Sequence, residues 1–322
     1  MNNGRVAVTF QIDSKNRDAI LSVLGEAAQV IFISDLQPSK RLEELSRADA
    51  LLSWHPVKEL QQDEYDVITA KFMQLISAGA DHVPFSLLPS GLTVAGNVGA
   101  YAEPMAEHVL AMILAIEKNL IDRHTKLRNG KFDQSANRML SDSTCAILGF
   151  GGIGKTTARL LRCMRVRIYA INTTGKTDEP VDFIGTLTDL EQVLRVADIA
   201  LISLPLNNTT HGLIGNRELA WMKEDAILVN VARANIVNEK ALFERLKTHP
   251  KFSAAVDAWW MEPITNEEFH TNYPFLELPN VLGSPHNSGI VPGSIELGLI
   301  RAAGNVKRFL KGESVIGVIR EN

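Results

Sequence analysis

The sequence predicts an α/β protein built from two doubly wound parallel-sheet domains. Three observations carry that prediction. Short apolar runs alternate with helical patterns along almost the whole chain. The length, 322 residues, suggests about two domains. A glycine turn, Gly149, Gly151 and Gly154, stands between an apolar strand and a helix and opens a second α/β unit.

The first unit reads in order. Residues 6–10 are a strand and residues 14–28 a helix, polar and apolar at helical spacing. A strand follows at 30–34 and a short helix at 40–47. Further apolar runs at 50–53, 72–76 and 92–95 complete five strands. Strands that alternate with helices form a parallel sheet covered on both faces. Ligands bind such sheets at the C-terminal strand ends. Two loops there stand out: Trp54, His55 and Pro56, and residues 77–81, which include Ala78 and Gly79.

Residues 103–127 give the longest helical pattern. Met105, Val109, Met112, Ile113 and Ile116 form its apolar stripe, and several alanines permit close packing. That helix suits a domain crossing and a subunit contact, or equally a core position within one domain. Asn129 and Gly130 end it.

In the second unit, strand 145–148 leads through the glycines into a helix read at 158–164. Strands follow at 166–171, 199–203, 226–230, 253–256 and 281–282. Helices lie at 187–196, 216–222, 239–247 and 295–310. In a G-x-G-x-x-G turn the first glycine permits the tight bend, the second lets a pyrophosphate approach, and the third allows helix and strand to pack closely. The same residues also spell a P-loop, in which Lys155 would reach terminal phosphates and Thr156 would hold Mg²⁺.

Composition narrows the choices. Hydrophobic residues make up 45% and charged residues 22%, an ordinary balance that fills sizeable cores. A net charge of −4 argues against nucleic acid as a partner. No apolar run is long enough to span a membrane, and the N-terminal residues do not read as a signal peptide. A cytoplasmic enzyme is therefore expected. Cys145 and Cys163 are expected in the core rather than in a disulfide or a metal site, and no metal is expected.

Polar residues collect past strand ends in the second unit: Arg233, Asp257, Glu262 and His286. Each alone could be a surface, capping or loop residue. Together they could share a cleft with a bound cofactor. A P-loop enzyme could use Asp257 but leaves Arg233, Glu262 and His286 without a role.

These residues carry a resemblance. Residues 149–154 (GFGGIG), 226–234 (AILVNVARA), 257–263 (DAWWMEP) and 284–289 (SPHNSG) match, in order and spacing, the D-isomer-specific 2-hydroxyacid dehydrogenases. Over nearly its whole length the chain resembles that family, glyoxylate and hydroxypyruvate reductases in particular. The resemblance implies two Rossmann-like domains, one flavodoxin-like and one dinucleotide-binding. The substrate-binding domain would span 1–96 and be completed by 292–322, with the nucleotide domain at 97–291. Arg233, Glu262 and His286 would be catalytic. Ala78 and Gly79 would bind substrate through backbone N–H groups, with Arg233 and His286. The loop of Trp54 and His55, read from its place at a strand end, either shapes the substrate pocket or is a surface turn. The cofactor would meet Gly149, Gly151, Gly152, Ile153, Gly154, Asn172, Thr173, Thr174, Lys176, Leu204, Pro205, Thr210, Val231, Ala232, Asp257 and Ser288. A homodimer through the nucleotide domain is implied as well.

Chemistry supports the three central roles. Reduction of a 2-oxo acid needs a hydride at the carbonyl carbon and a proton at its oxygen. A histidine can supply the proton near neutral pH. A carboxylate at Glu262 would orient the ring. Arg233 offers a permanent planar cation to the substrate carboxylate. A nucleotide site that prefers NAD has Asp or Glu about twenty residues past the turn. Here the strand ends in Asn172, Thr173, Thr174, Gly175 and Lys176, which suits a 2′-phosphate, so NADP is favoured over NAD. Formate oxidation is disfavoured, because formate enzymes of the family use a Gln-His pair. The other readings are a nucleotide-sensing, corepressor-like binding protein, without the long extensions of such relatives, and a P-loop ATPase.

Overall fold

The computed structural model describes residues 4–263 and 268–320. In chain order it begins β1 (Gly4–Val8), α1 (Ser14–Leu24), β2 (Ala28–Phe32), α2 (Pro38–Leu45) and β3 (Ala50–Ser53). Asp13 starts α1 by accepting the Asn16 N–H, and Pro38 opens α2, where its missing N–H has no partner to lose. Two short helices, α3 (Pro56–Glu59) and α4 (Gln62–Asp66), precede β4 (Phe72–Leu75) and β5 (Thr93–Ala95).

Two further helices follow, α5 (Ala102–Glu117) and α6 (Leu120–Arg128). The single helix expected over 103–127 is thus broken. Asn119 takes the left-handed conformation, φ 48° and ψ 38°, which interrupts the helical ladder. The next elements are β6 (Thr144–Leu148), α7 (Gly152–Cys163), β7 (Arg167–Ile171), β8 (Phe183–Gly185), α8 (Leu190–Val196), β9 (Ile199–Ile202) and α9 (Asn216–Trp221). Then come β10 (Ile227–Asn230), α10 (Glu239–Thr248), β11 (Ser253–Val256), β12 (Val281–Gly283), α11 (Ser294–Leu310) and β13 (Val318–Arg320). The sequence reading omits β8 and β13, each three residues long, and starts α7 six residues late, because glycines give no helical signal. Cys145 is buried as expected, but Cys163 is exposed and donates to the Arg159 carbonyl within its own helix.

The chain divides into two compact units, Met1–Tyr101 with Val291–Asn322, and Ala102–Ile290; residues 1–3, 264–267 and 321–322 lie outside the described set. The first change of unit falls at 101/102 rather than 96/97. Residues 97–101 stay tied to the first unit, since Asn97 donates to the carbonyls of Ile76 and Gly298 and Tyr101 donates to that of Ile76. The first unit has sheet order β13-β5-β4-β3-β1-β2, parallel except for the antiparallel β13. Helices α1 and α11 pack together over one face, where Val6, Val8, Ile20, Phe72, Leu299 and Val306 are buried.

The second unit is fully parallel, in the order β12-β11-β10-β9-β6-β7-β8. Its central strands are buried on both faces, as a parallel sheet requires. On α5, Ala102, Ala106, Val109, Met112, Ile113 and Glu117 line the buried stripe, which packs on α7 and across β10 and β11. The strand order brings the ends of β10, β11 and β12 side by side.

The junction of β6 and α7 tolerates no side chain at Gly154. A Cβ there would lie 2.4 Å from the Gly149 carbonyl oxygen and 2.9 Å from Ile147 Cγ2. Gly154→Ala is therefore expected to destabilise the protein by about 1–3 kcal/mol, the usual effect of overpacking. Gly151→Ala, whose Cβ meets nothing within 4 Å, should stay within about 0.5 kcal/mol of wild type. Thermal melts of both variants check the pair, and equal melting temperatures would refute this account of the junction.

Candidate active site

The glycine turn is shaped for an anion. Gly149 has φ +101°, and a Cβ on it would lie 2.6 Å from the Ser203 backbone at the end of β9. Ser203 Oγ donates to the Gly149 carbonyl at 2.8 Å and braces the bend from the neighbouring strand. Gly151 is exposed, with open space where its side chain would be. No side chain caps the start of α7, so its first N–H groups and positive dipole end face outward. These residues fit the pyrophosphate of a dinucleotide. Thr156, the cation ligand of the triphosphate alternative, is instead buried in α7.

At the end of β7 the structure gives Asn172 a local role. Its side-chain oxygen accepts the N–H groups of Thr174 and Gly175, and its amide donates to the Lys176 carbonyl at 2.8 Å. Asn172 thereby holds the loop, while Thr173, Thr174 and Lys176 are exposed on it. Leu204 is partly exposed and Pro205 exposed; Thr210 is buried and donates back to the Pro205 carbonyl at 2.6 Å. Thr210, Val231, Asp257 and Ser288 are almost or fully shielded, so they shape the loops of the site and their side chains do not line it.

Three adjacent strand ends gather the polar residues. After β10, Asn230 is buried and bridges its own turn: its oxygen accepts the Ala232 N–H and its amide donates to the Arg233 carbonyl. The Arg233 guanidinium donates to the Ala232 carbonyl at 2.9 Å. After β11, Asp257 is fully buried. Its Oδ1 accepts from Ser284 Oγ at 2.5 Å and from Asn287 N at 3.1 Å; Oδ2 accepts from Ser288 N at 3.2 Å. Its main-chain oxygen accepts the His286 N–H at 2.9 Å. The sequence reading put Asp257 at the cofactor; the structure makes it the clamp of the 284–288 turn.

That turn presents His286 with φ +51°, a left-handed conformation costing roughly 1–2 kcal/mol. His286 Nδ1 meets Glu262 Oε2 at 2.8 Å. Glu262 is itself oriented by the Trp259 N–H, 2.6 Å from Oε1, and Trp259 Nε1 donates to the Ser284 carbonyl. The structure therefore brings Glu262 and His286 together. The supporting residues Asn230, Ser203, Trp259 and Ser284 escape sequence reading, although Asn230, a polar residue closing an apolar strand, is a legible turn signal.

In the first unit, the N–H groups of Ala78 and Gly79 have no partner among the described residues. Trp54 is 37% exposed, its ring edge-on to Phe10. The Glu59 carboxylate accepts from the backbone N–H groups of Trp54 and His55 and from the hydroxyls of Thr9 and Ser53. Burial, followed by the charges of His82 and Lys58, holds His55 below its ordinary range. It is neutral at pH 7 and suits hydrogen bonding better than proton donation.

Burial alone would raise the Asp257 carboxyl, but the donors from Ser284, Ser288 and Asn287 together outweigh it and hold the group below the ordinary carboxylate range. A depressed folded value gives stability that is fully present above the unfolded value of about 3.9 and lost as pH falls through the folded one. Wild type should thus be more stable than Asp257→Asn at neutral pH, with the gap closing as pH drops from about 5 toward 3. Thermal denaturation of both across that range checks it, and a gap independent of pH would refute the clamp.

A family model, D-isomer specific 2-hydroxyacid dehydrogenase, NAD binding domain, matches residues 110–288. A glyoxylate reductase of Thermofilum pendens is 30% identical over 311 residues, covering 91% of this chain and 88% of its own. A D-3-phosphoglycerate dehydrogenase of Methanocaldococcus jannaschii is 26% identical over 95% of this chain, which spans only 58% of that longer protein. Among solved structures, a glycerate dehydrogenase related protein of Thermoplasma acidophilum is 29% identical, with a TM-score of 0.65 over 95% of this chain and 99% of its own. With more than half its length matched by the model, the chain belongs to the D-isomer specific 2-hydroxyacid dehydrogenase family, oxidoreductases that act on the CH–OH group through a nicotinamide cofactor.

Proposed function

We propose that the protein interconverts a small 2-oxo acid, such as glyoxylate, hydroxypyruvate or pyruvate, and its D-2-hydroxy acid. The observation that carries this reading is the His286–Glu262 pair at 2.8 Å, which joins the segments after β12 and β11, while Arg233 follows the adjacent strand β10. When bound, the nicotinamide nucleotide supplies the hydride. Glu262 accepts the Nδ1 hydrogen of His286 and leaves Nε2 as the nitrogen that exchanges a proton with substrate oxygen. In reduction Nε2 gives that proton to the carbonyl oxygen; in oxidation it takes the proton of the hydroxyl. Arg233 binds the substrate carboxylate and polarises the carbonyl.

NADPH is the proposed cofactor. The support is the loop 172–176: no carboxylate stands there to repel a 2′-phosphate, and Thr173 and Lys176 are exposed on it. A homodimer is proposed on the exposed apolar side chains of Leu120, Ile121, Leu127, Phe132 and Met139, close together in sequence.

Two measurements test the reading. His286→Ala should lower kcat roughly 10²–10⁴-fold, the usual worth of a general acid. In wild type, reduction should slow as pH rises and oxidation should quicken, because one consumes the proton on His286 and the other needs the neutral ring. An active His286→Ala enzyme, or two profiles of the same slope, would remove His286 from the chemistry. For the cofactor, kcat/KM should be higher with NADPH than with NADH. Asn172→Asp should reverse that order, since a carboxylate accepts from a 2′-OH and repels a 2′-phosphate. A wild-type preference for NADH of about tenfold, roughly 1.4 kcal/mol, would refute it.

A further inference from the structure

We propose that His108 is a positioning residue for His286, acting through Ser284 and Asp257. The inference rests on the proton-transfer role proposed for His286. His108 stands on α5, the helix that packs across β10 and β11. Its Nε2 lies 3.0 Å from Ser284 Oγ and 3.9 Å from Asp257 Oδ1.

The direction of each hydrogen bond follows from the groups themselves. An ionised carboxylate only accepts, so the Ser284 hydroxyl gives its one proton to Asp257. Toward His108 the same oxygen must then accept, and His108 Nε2 must carry a hydrogen. The Nε2–H tautomer and the imidazolium both meet that condition. His108 thereby keeps the hydroxyl from rotating away from the carboxylate.

What the hydroxyl does matters to His286. Ser284 lies two residues before it, and Asn287 and Ser288 directly follow it. All three bond the one Asp257 carboxylate, and the Asp257 main-chain oxygen takes the N–H of His286 itself. The left-handed backbone of His286 is held from both sides by this residue. His108 completes the arrangement from a helix outside the turn. Its loss would free Ser284, let the turn relax, and widen the range of positions from which Nε2 delivers its proton.

Two substitutions separate positioning from packing. His108→Leu keeps the bulk and removes the donor; His108→Gln returns an N–H donor. Glyoxylate reduction by NADPH is the assay, with a thermal melt of each variant. His108→Leu should lower kcat roughly tenfold to hundredfold, the scale of a misplaced reacting group, with KM for both substrates nearly unchanged. His108→Gln should recover most of the rate. Ser284→Ala should show the same fall, and adding His108→Leu to it should do no further harm, because both act along one path. A wild-type kcat in His108→Leu, with His286→Ala inactive, would overturn the inference and leave the acid assignment standing. An active His286→Ala would overturn both. A His108→Gln enzyme as slow as His108→Leu would also overturn it, for then only the shape of the ring matters.

Discussion

The buried carboxylate of Asp257 is the constraint on which the candidate site depends. A parallel strand ends by releasing its chain into a loop, and a loop has little reason to hold one histidine in a left-handed backbone. Here the loop after β12 is pinned to the end of the neighbouring strand by one fully buried, ionised group. A charge in such a place is tolerated only when donors surround it. The donors come from the very turn that must be held, so satisfying the charge and placing His286 are one event. Glu262 then needs only to meet a ring whose position is already determined.

The first unit uses the same device in a different place. Glu59 sits at the end of α3 and gathers the N–H groups of Trp54 and His55 with two hydroxyls from β3 and the end of β1. An α/β sheet with bare strand ends offers many free N–H groups at one edge. An acidic side chain reaching back to them converts a floppy connection into a defined surface. In both units the carboxylate is set back from the residues it presents.

Much of this architecture was readable from the residues. Gly149 and Gly154 declare their turn because a side chain at either would collide with neighbouring backbone. The order of Arg233, Glu262 and His286 was legible because each stands just past an apolar run. The break at Asn119 was not, since a left-handed asparagine inside an apolar-periodic stretch leaves the period intact. Nor was the inward turn of Asn172, whose partners are backbone groups of its own loop. Nothing local in the sequence marks His108 on α5; the role proposed for it depends on Ser284, 176 residues away in the chain. Sequence shows which residue types are available at strand ends, but long-range hydrogen bonds between side chains have no local signature.

The split course of the first unit has a consequence for how the chain is made. Its core joins Val6, Val8 and Phe72 to Leu299, Ala302 and Val306, and its sheet gains an edge strand only with β13. The intervening unit, Ala102–Ile290, is one continuous segment. During synthesis from the N-terminus, β1 to β5 therefore emerge long before the helix that covers them. They must wait with one apolar face only partly covered, by α1, while nearly two hundred residues are added, whereas the continuous unit can close as soon as β12 appears. The nucleotide-type unit is thus complete first, and the interval before α11 arrives is when the nascent chain is most exposed to aggregation and most in need of a chaperone.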